Sequence, residues 1–470
     1  MLKTKKSFIE GPLFFRMLAF AIPIVLTGVL QIVYSMADNI VVGRFSSDPY
    51  ALAAVGSTSS LTNLVLNILL GIAAGTGVVV AQYYGAKEYT FVNETVHTAV
   101  TFSALGGVAV GALSFIISEP VLILMGTKSE VIAGAVLYFR IISIGIPASS
   151  MYNFGAAVLR SVGNSKTPLI ILATSGFINV LFNLFFVIVC GMSVGGVALA
   201  TIISQYLSAA AVLFVLYRKR GECYGFTPKR LGINKRHLAR MLRFGIPAGI
   251  QSCMFSLSNV FITGAINSFS SPDPVTAYTI ACNIDSISFT VMNAFSQTAM
   301  TFTGQNFGAG KRKRINKVLL YSLLQVFAIG ILVTQLQIYF AETISGFFMS
   351  PDLESRDAVL AITIDISVVL LSTYFICGLL DVIGGALRGI GYSLSPMMVN
   401  IVGICGVRIV YIFLLFPLEA LHTPIGLMYC YPLSWTVALL AMAAIRIFAG
   451  IRLRRIMPDG DKKTEAVKEA

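Results

Sequence analysis

Residues 17–23 read MLAFAIP and residues 241–247 read MLRFGIP, and the match continues without a gap until Phe45 stands opposite Phe269. Two more matches follow in the same order. Gln82-Tyr83-Tyr84-Gly85-Ala86 falls on Gln305-Asn306-Phe307-Gly308-Ala309, and Leu159-Arg160-Ser161-Val162-Gly163 falls on Leu387-Arg388-Gly389-Ile390-Gly391, with Pro168 on Pro396. Such ordered self-similarity marks a duplicated chain. The repeated material is apolar: of 470 residues 56% are hydrophobic and 12% charged, against about a quarter charged in a soluble domain.

A hydrocarbon core about 30 Å thick takes about 20 apolar residues per helix. Counting apolar runs between polar punctuation gives twelve, at 13–43, 51–84, 94–118, 131–160, 167–190, 195–217, 238–268, 274–307, 315–348, 358–388, 394–417 and 424–449. The expected fold is an all-α integral membrane protein of two pseudo-symmetric six-helix bundles. Residues 1–217 form the N-terminal lobe, 218–243 a basic cytoplasmic linker running into the seventh helix, 238–450 the C-terminal lobe and 451–470 a polar cytoplasmic tail. Six spans is an even number, so both copies enter the membrane in the same sense, related by an axis along the membrane normal. Substrate is expected between the lobes. The first run is long, holds Pro23 and lacks a small-residue cleavage site before a polar start, so it reads as a retained span.

The formal charge of +13 follows topology rather than nucleic acid. With the N-terminus inside, the inner side receives Lys3, Lys5, Lys6, Lys87, Arg160, Lys166, the linker from Arg218 to Arg243, Lys311-Arg312-Lys313-Arg314, Arg388 and the tail from Arg446. The outer side receives Arg44, Lys128 and Arg356 beside Asp48, Glu119, Asp273, Glu342, Asp352 and Glu354. That asymmetry places both termini in the cytoplasm of a cell-membrane protein. Seven cysteines without a CxxC pair read as free thiols, and His97, His237 and His422 lack metal-ligand spacing.

Together, the doubled proline-bearing first helix of each half, YSMADNIVVGRF at 34–45, QYYGA and GQNFGAGK, and LRSVGNSKTP with LRGIGYSLSP resemble a multidrug and toxic compound extrusion (MATE) transporter over residues 10 to 450. The resemblance implies a secondary exporter in which two lobes enclose a cavity open alternately to either side, driven by inward flow of protons or sodium. Its substrates would be small, amphipathic, often cationic organic molecules. It implies no cofactor beyond the coupling ion, no enzymatic reaction, no nucleic-acid partner, contact with membrane lipid, and a monomer. No Walker loop is present.

An Asp inside a membrane helix costs about 2.5–3.5 kcal/mol on insertion scales and faces a cavity or a partner. Asp38 lies toward the outer end of the first helix. In the fifth, Asn179 and Asn183 stand one turn apart and project from one face, and Thr201 lies about two turns into the sixth. One branch of the family combines an Asp on the first helix, an Asn and an Asp one turn apart on the fifth and a Thr on the sixth as its cation site; Asp38, Asn179, Asn183 and Thr201 match, with Asn183 in place of the second Asp. A single carboxylate leaves little charge to offset the dehydration of sodium, which favours the proton. The other half offers Asp285, Asp365 and Asp381, and the seventh span carries no acid, which argues against the second type of site known in the family. Asp381 can meet the inner interface near Arg388, and Arg408 on the eleventh span can pair with an acid such as Asp365 or Asp381. Gln31, Tyr34, Tyr138, Asn153, Met254, Phe255, Asp285 and Asp381 are candidates for the substrate cavity, flexible Met and flat aromatics suiting a promiscuous pocket.

The alternative is a flippase or exporter of a lipid-linked saccharide or other endogenous metabolite, whose cavity should be strongly cationic; only Arg408 and Arg140 lie within spans. A channel fits two rocking lobes poorly, and an intramembrane enzyme would need a nucleophile–base pair or metal cluster that the sequence does not offer.

Overall fold

The computed structural model describes residues 8–46, 48–349 and 355–457. The expected inner lysines Lys3, Lys5 and Lys6, the outer acids Asp352 and Glu354, and the tail beyond Met457 lie outside the described residues. Secondary structure among the described residues is helical throughout, as hydrocarbon demands of a chain that must satisfy its own backbone. The long helices are α1 (Phe14–Phe45), α2 (Ala51–Gly85), α3 (Tyr89–Leu124), α4 (Ser129–Ser161), α5 (Lys166–Val189), α6 (Val194–Arg218), α7 (Lys235–Ile266), α8 (Asp273–Gly308), α9 (Arg312–Tyr339), α10 (Arg356–Gly389), α11 (Leu394–Leu415) and α12 (Pro424–Ile456). All but α8 are long and apolar enough to cross a membrane by length and composition; α8 has the length but carries more polar side chains.

Several helix ends differ from the sequence expectation. The third runs six residues further at its C-terminal end, to Leu124, and α7 begins at Lys235, inside the basic linker. The ninth stops at Tyr339, and a separate turn of helix, Ala341–Gly346, follows.

The repeated motifs are helix stops. After α4, Gly163 adopts φ 94°, its N–H bonds Arg160 O at 2.9 Å, and Asn164 N–H bonds Leu159 O at 2.9 Å. After α10, Gly391 adopts φ 99° and the same two bonds recur, to Arg388 O and Leu387 O. This is the Schellman arrangement, which needs a left-handed residue and therefore favours glycine. Gly310 plays that part after α8, while Lys87 at φ 62° does so after α2.

Two compact units result, Met1–Val25 with Ile250–Ala470, and Leu26–Gly249. Their limits differ from those of the sequence repeat: α1 and α7 are each shared between units, changing over two residues after Pro23 and Pro247 respectively. A proline deprives its helix of one i→i−4 bond and crowds the preceding turn, so it marks where a helix can leave one packing partner for another. In the first unit Phe8 stacks on Phe302 with ring centroids 3.8 Å apart, Phe20 meets Phe302 edge-on, and Leu13, Met17 and Ile24 close the same cluster. In the second, α2 and α7 touch backbone to backbone through Gly71 and Gly75 against Gly249 and Gly245.

The linker is docked. Along one face of α3, Asn93 donates to Cys223 O and Gly225 O, His97 Nε2 accepts from Thr227 N–H at 3.1 Å, Thr98 accepts from Asn234 N–H and Thr101 from Gly232 N–H. His97 Nδ1 lies 2.8 Å from Asn93 O. Since Thr227 N–H can only donate, His97 is neutral with its proton on Nδ1. Glu94 receives Asn234 and His237 at 3.0 and 2.9 Å. His97→Ala should therefore leave the helices intact while tryptic cleavage after Lys229 and Arg230 accelerates, about tenfold if one bond of about 1.5 kcal/mol held the segment; an unchanged cleavage rate would mean that the remaining bonds suffice.

Candidate cation-coupling site

The four coupling candidates close a ring within one unit. Asn183 Nδ2 donates to Asp38 Oδ1 and lies 3.3 Å from Asn179 Oδ1; Asn179 Nδ2 reaches Thr201 Oγ1 at 3.5 Å; and Thr201 in turn interacts with the Asp38 carboxylate. The Thr201 hydroxyl donates to Val197 O on its own helix at 2.9 Å. Asn183 is fully buried and Asn179 4% exposed, while Asp38 is half-buried. The i and i+4 spacing turns both amides to α1 and α6.

Apolar residues sleeve the ring. Val41 and Val42 from α1, Val187 from α5 and Val194 and Val197 from α6 belong to one buried cluster, with Tyr138 packed against it. Two residues beyond Asn183 the helix widens into a π turn, Phe185–Val189, a form found often beside functional sites. Asn183 Oδ1 is buried without a hydrogen-bond partner among the described residues. A ring of one carboxylate, two amides and one hydroxyl can hold a proton on Asp38, or a small hard cation among oxygens, for which Asn183 Oδ1 is the unused ligand.

The cavity candidates separate. Tyr138 sits beside Asp38 and interacts with it electrostatically. Tyr34 donates to Ala173 O on α5 at 3.1 Å and fills the space above Gly176. Gln31 is exposed, and Asn153 bonds back to Ser149 O of its own helix at 2.8 Å. In the other unit Phe255 packs on the main core, Met254 offers its carbonyl to the Cys405 thiol, and Asp381 interacts with Arg388, which also reaches Gln251 and Ser296. Asp381 thus meets Arg388, as the sequence allowed, and the acid near Arg408 is neither of the two examples the sequence offered, Asp365 and Asp381. Arg408 is buried, donates from Nε to Ser434 Oγ at 3.2 Å and covers the Tyr431 ring at 4.1 Å, with Asp285 as the acid it interacts with. Tyr374 escapes a reading of the sequence, although its hydroxyl bonds Asp285; a phenol in an otherwise apolar run is the available signal.

The MatE family model matches residues 23–185 and again 247–414, one match to each half of the duplication. A probable multidrug resistance protein of Bacillus subtilis, YoeA, is 30% identical over 432 residues, covering 90% of both chains. An FAD transporter of Shewanella oneidensis is 24% identical over 420 residues, covering 87% of this chain and 89% of its own. Among solved structures, the outward-facing form of a multidrug resistance transporter superposes with a TM-score of 0.89 at 19% identity, covering 96% of this chain and all of the other.

Proposed function

Because the chain belongs to the MatE family of membrane transporters, we propose that it is a secondary exporter of small organic compounds, coupled to inward proton flow through Asp38. One observation carries the coupling: the ring that Asn183, Asn179 and Thr201 draw around a single half-buried carboxylate. The ionised carboxylate needs donors, and Asn183 Nδ2 supplies one. The protonated acid is itself a donor and needs an acceptor. Rotation of the Asn183 amide by half a turn would bring its unpartnered Oδ1 to face that proton, while Thr201 keeps its bond to Val197 O. Proton binding thus exchanges one hydrogen-bond arrangement for another among α1, α5 and α6 without leaving a charge unpaired, and the two arrangements bias the opening of the six-helix repeats, 1–217 and 238–450, to either face.

The substrates in this reading are amphipathic or cationic organic molecules; that relatives are named probable multidrug resistance proteins supports drug export. The protein works as a monomer in contact with lipid, without cofactor, in the cell membrane with both termini cytoplasmic. Vesicles reconstituted with the protein provide the test. A proton gradient alone should drive ethidium uptake and an uncoupler should stop it, whereas a sodium gradient alone should not. Failure with every cationic dye under both gradients would overturn the reading and favour the second one, export of an endogenous metabolite, which the similarity to an FAD transporter supports.

Orientation is tested by thiols. Cys190, exposed after α5, should react with an impermeant maleimide added outside intact cells, and Cys223 in the linker only after permeabilisation. Burial pushes the Cys223 thiol up to about 11. The reactive thiolate is therefore scarce at neutral pH, and Cys223 labelling in permeabilised cells should quicken about tenfold per pH unit up to that value. Labelling of Cys223 from outside would invert the topology.

A further inference from the structure

The C-terminal half holds a buried acid that the coupling ring does not use. Among the described residues, Asp285 on α8 interacts with Tyr374 of α10, and its Oδ1 is buried without a hydrogen-bond partner. The cation that acts on it is Arg408, which interacts with Asp285 electrostatically yet makes no ion pair with it; the guanidinium lies over Tyr431 and donates to Ser434. A carboxylate with an unpartnered oxygen in a dry interior is poorly stabilised, because a buried charge needs pairing and full hydrogen bonding. The neutral acid suits the same surroundings. It leaves one weakly polar oxygen unpaired and has no claim on Arg408, which is then free to rest on an aromatic face, where a guanidinium is well accommodated.

The backbone at this place is equally distinctive. Arg408 occupies a four-residue α segment, Val407–Val410, between two π-helical stretches, Ile401–Gly406 and Tyr411–Leu415. Extending the match of LRSVGNSKTP on LRGIGYSLSP puts Asn179 opposite Val407, next to Arg408. The match of Gly196-Val197 on Gly426-Leu427 puts Thr201 opposite Tyr431. The two helices that carry an amide and a hydroxyl for Asp38 in one half thus carry a guanidinium and a phenol near an acid in the other.

We propose that Asp285 is a second proton-binding site, protonated in the arrangement seen, whose ionisation draws Arg408 off Tyr431 into an ion pair. Among the described residues, the other groups around it do not supply a competing cation. On α8 the neighbour is Cys282; α10 contributes Tyr374 and Cys377 and, further along, Asp381, whose cation is Arg388; α11 contributes Arg408 and α12 Tyr431; from α9 the contact is Gln337, which is neutral and engaged with Ser288. Low pH keeps Arg408 on the ring and high pH releases it. Proton binding at Asp285 stands on this geometry alone; its contribution to export rests on the proposed function.

The chain carries its own reporter. Trp435, its one tryptophan, packs edge-on to Tyr374 at 5.1 Å and Tyr431 at 5.5 Å, so departure of a guanidinium from the Tyr431 face should alter its fluorescence. In full-length protein in lipid vesicles, wild type should show a pH-dependent change in tryptophan emission. Asp285→Asn and Arg408→Gln should each abolish it, Asp285→Glu should move its midpoint, and Asp38→Asn and Asp381→Asn should leave it in place. A flat wild-type profile, or an unchanged titration in Asp285→Asn, overturns the proposal, and the wild-type profile decides even if a variant does not fold. Loss of gradient-driven transport in Asp38→Asn with the emission titration intact separates the two sites, whereas normal transport in Asp38→Asn would sink the coupling reading and leave this one standing.

Discussion

Asp38→Asn is expected to reduce proton-driven uptake of a cationic dye to the level of protein-free vesicles while the protein remains folded in the membrane. The substitution keeps the size of the side chain and an oxygen that can accept from Asn183 Nδ2, so the ring of Asn183, Asn179 and Thr201 has no reason to come apart. It removes the one group in that ring that can gain and lose a proton. Normal uptake by the variant would end the coupling role. Asn183→Asp makes the complementary prediction. A second carboxylate would stand where an amide now donates to Asp38, and two adjacent carboxylates cannot both stay charged without a cation between them. The pair of carboxylates, together with Asn179 and Thr201, would then offer two charges and several hard oxygens, and transport should become sodium-stimulated. Dependence on protons alone in Asn183→Asp, with uptake otherwise intact, would show that position 183 does not select the ion.

Gly75→Leu should abolish recovery of folded, monodisperse protein. A Cβ at Gly75 would lie 2.5 Å from both Gly245 N and Met241 O, and one at Gly71 would lie 2.2 Å from Gly249 N. Both helices present glycines four residues apart, Gly71 and Gly75 against Gly245 and Gly249, the small-residue spacing that lets membrane helices approach closely. Ordinary carbon contacts need about 3.5–4.0 Å, so even Gly75→Ala must part the backbones by roughly 1 Å, at a cost of about 1–3 kcal/mol from overpacking. At Gly264, later on α7, nothing lies within 4 Å of where a methyl would stand, and Gly264→Ala should be neutral or gain up to about 1 kcal/mol of helix propensity. The comparison is made by heating each variant in detergent and following the monodisperse fraction. Equal thermal stability of Gly75→Ala and Gly264→Ala would mean that the crossing carries no stability.

The duplicated architecture was readable because its signals are local. MLAFAIP and MLRFGIP, the glycine stops at Gly163 and Gly391, and the apolar runs between them are consecutive along the chain, and lipid leaves such runs no choice but helix. The N-terminal ring was readable for a related reason: Asp38, Asn179, Asn183 and Thr201 are costly polar groups in apolar helices, and few in number. Periodicity places each on a face, and family resemblance said which faces meet.

Burial partners were not readable in this way. The sequence offered acids such as Asp365 and Asp381 on α10 for Arg408, yet it lies on Tyr431, with its acid on α8. Nothing in the order of residues ranks Asp285 above Asp365 or Asp381, because the choice depends on which side chains converge from four helices. Likewise, the linker's docking on Asn93, His97, Thr98 and Thr101 joins backbone groups to a helix face more than 120 residues earlier in the chain. Composition and spacing determined the number of helices, their stops and the polar groups they carry, since those depend on neighbours in sequence and on the solvent. Tertiary structure decided where α1 and α7 change partners after their prolines, which glycines touch, and which cation answers which acid, since each of these is settled by packing between segments far apart in the chain.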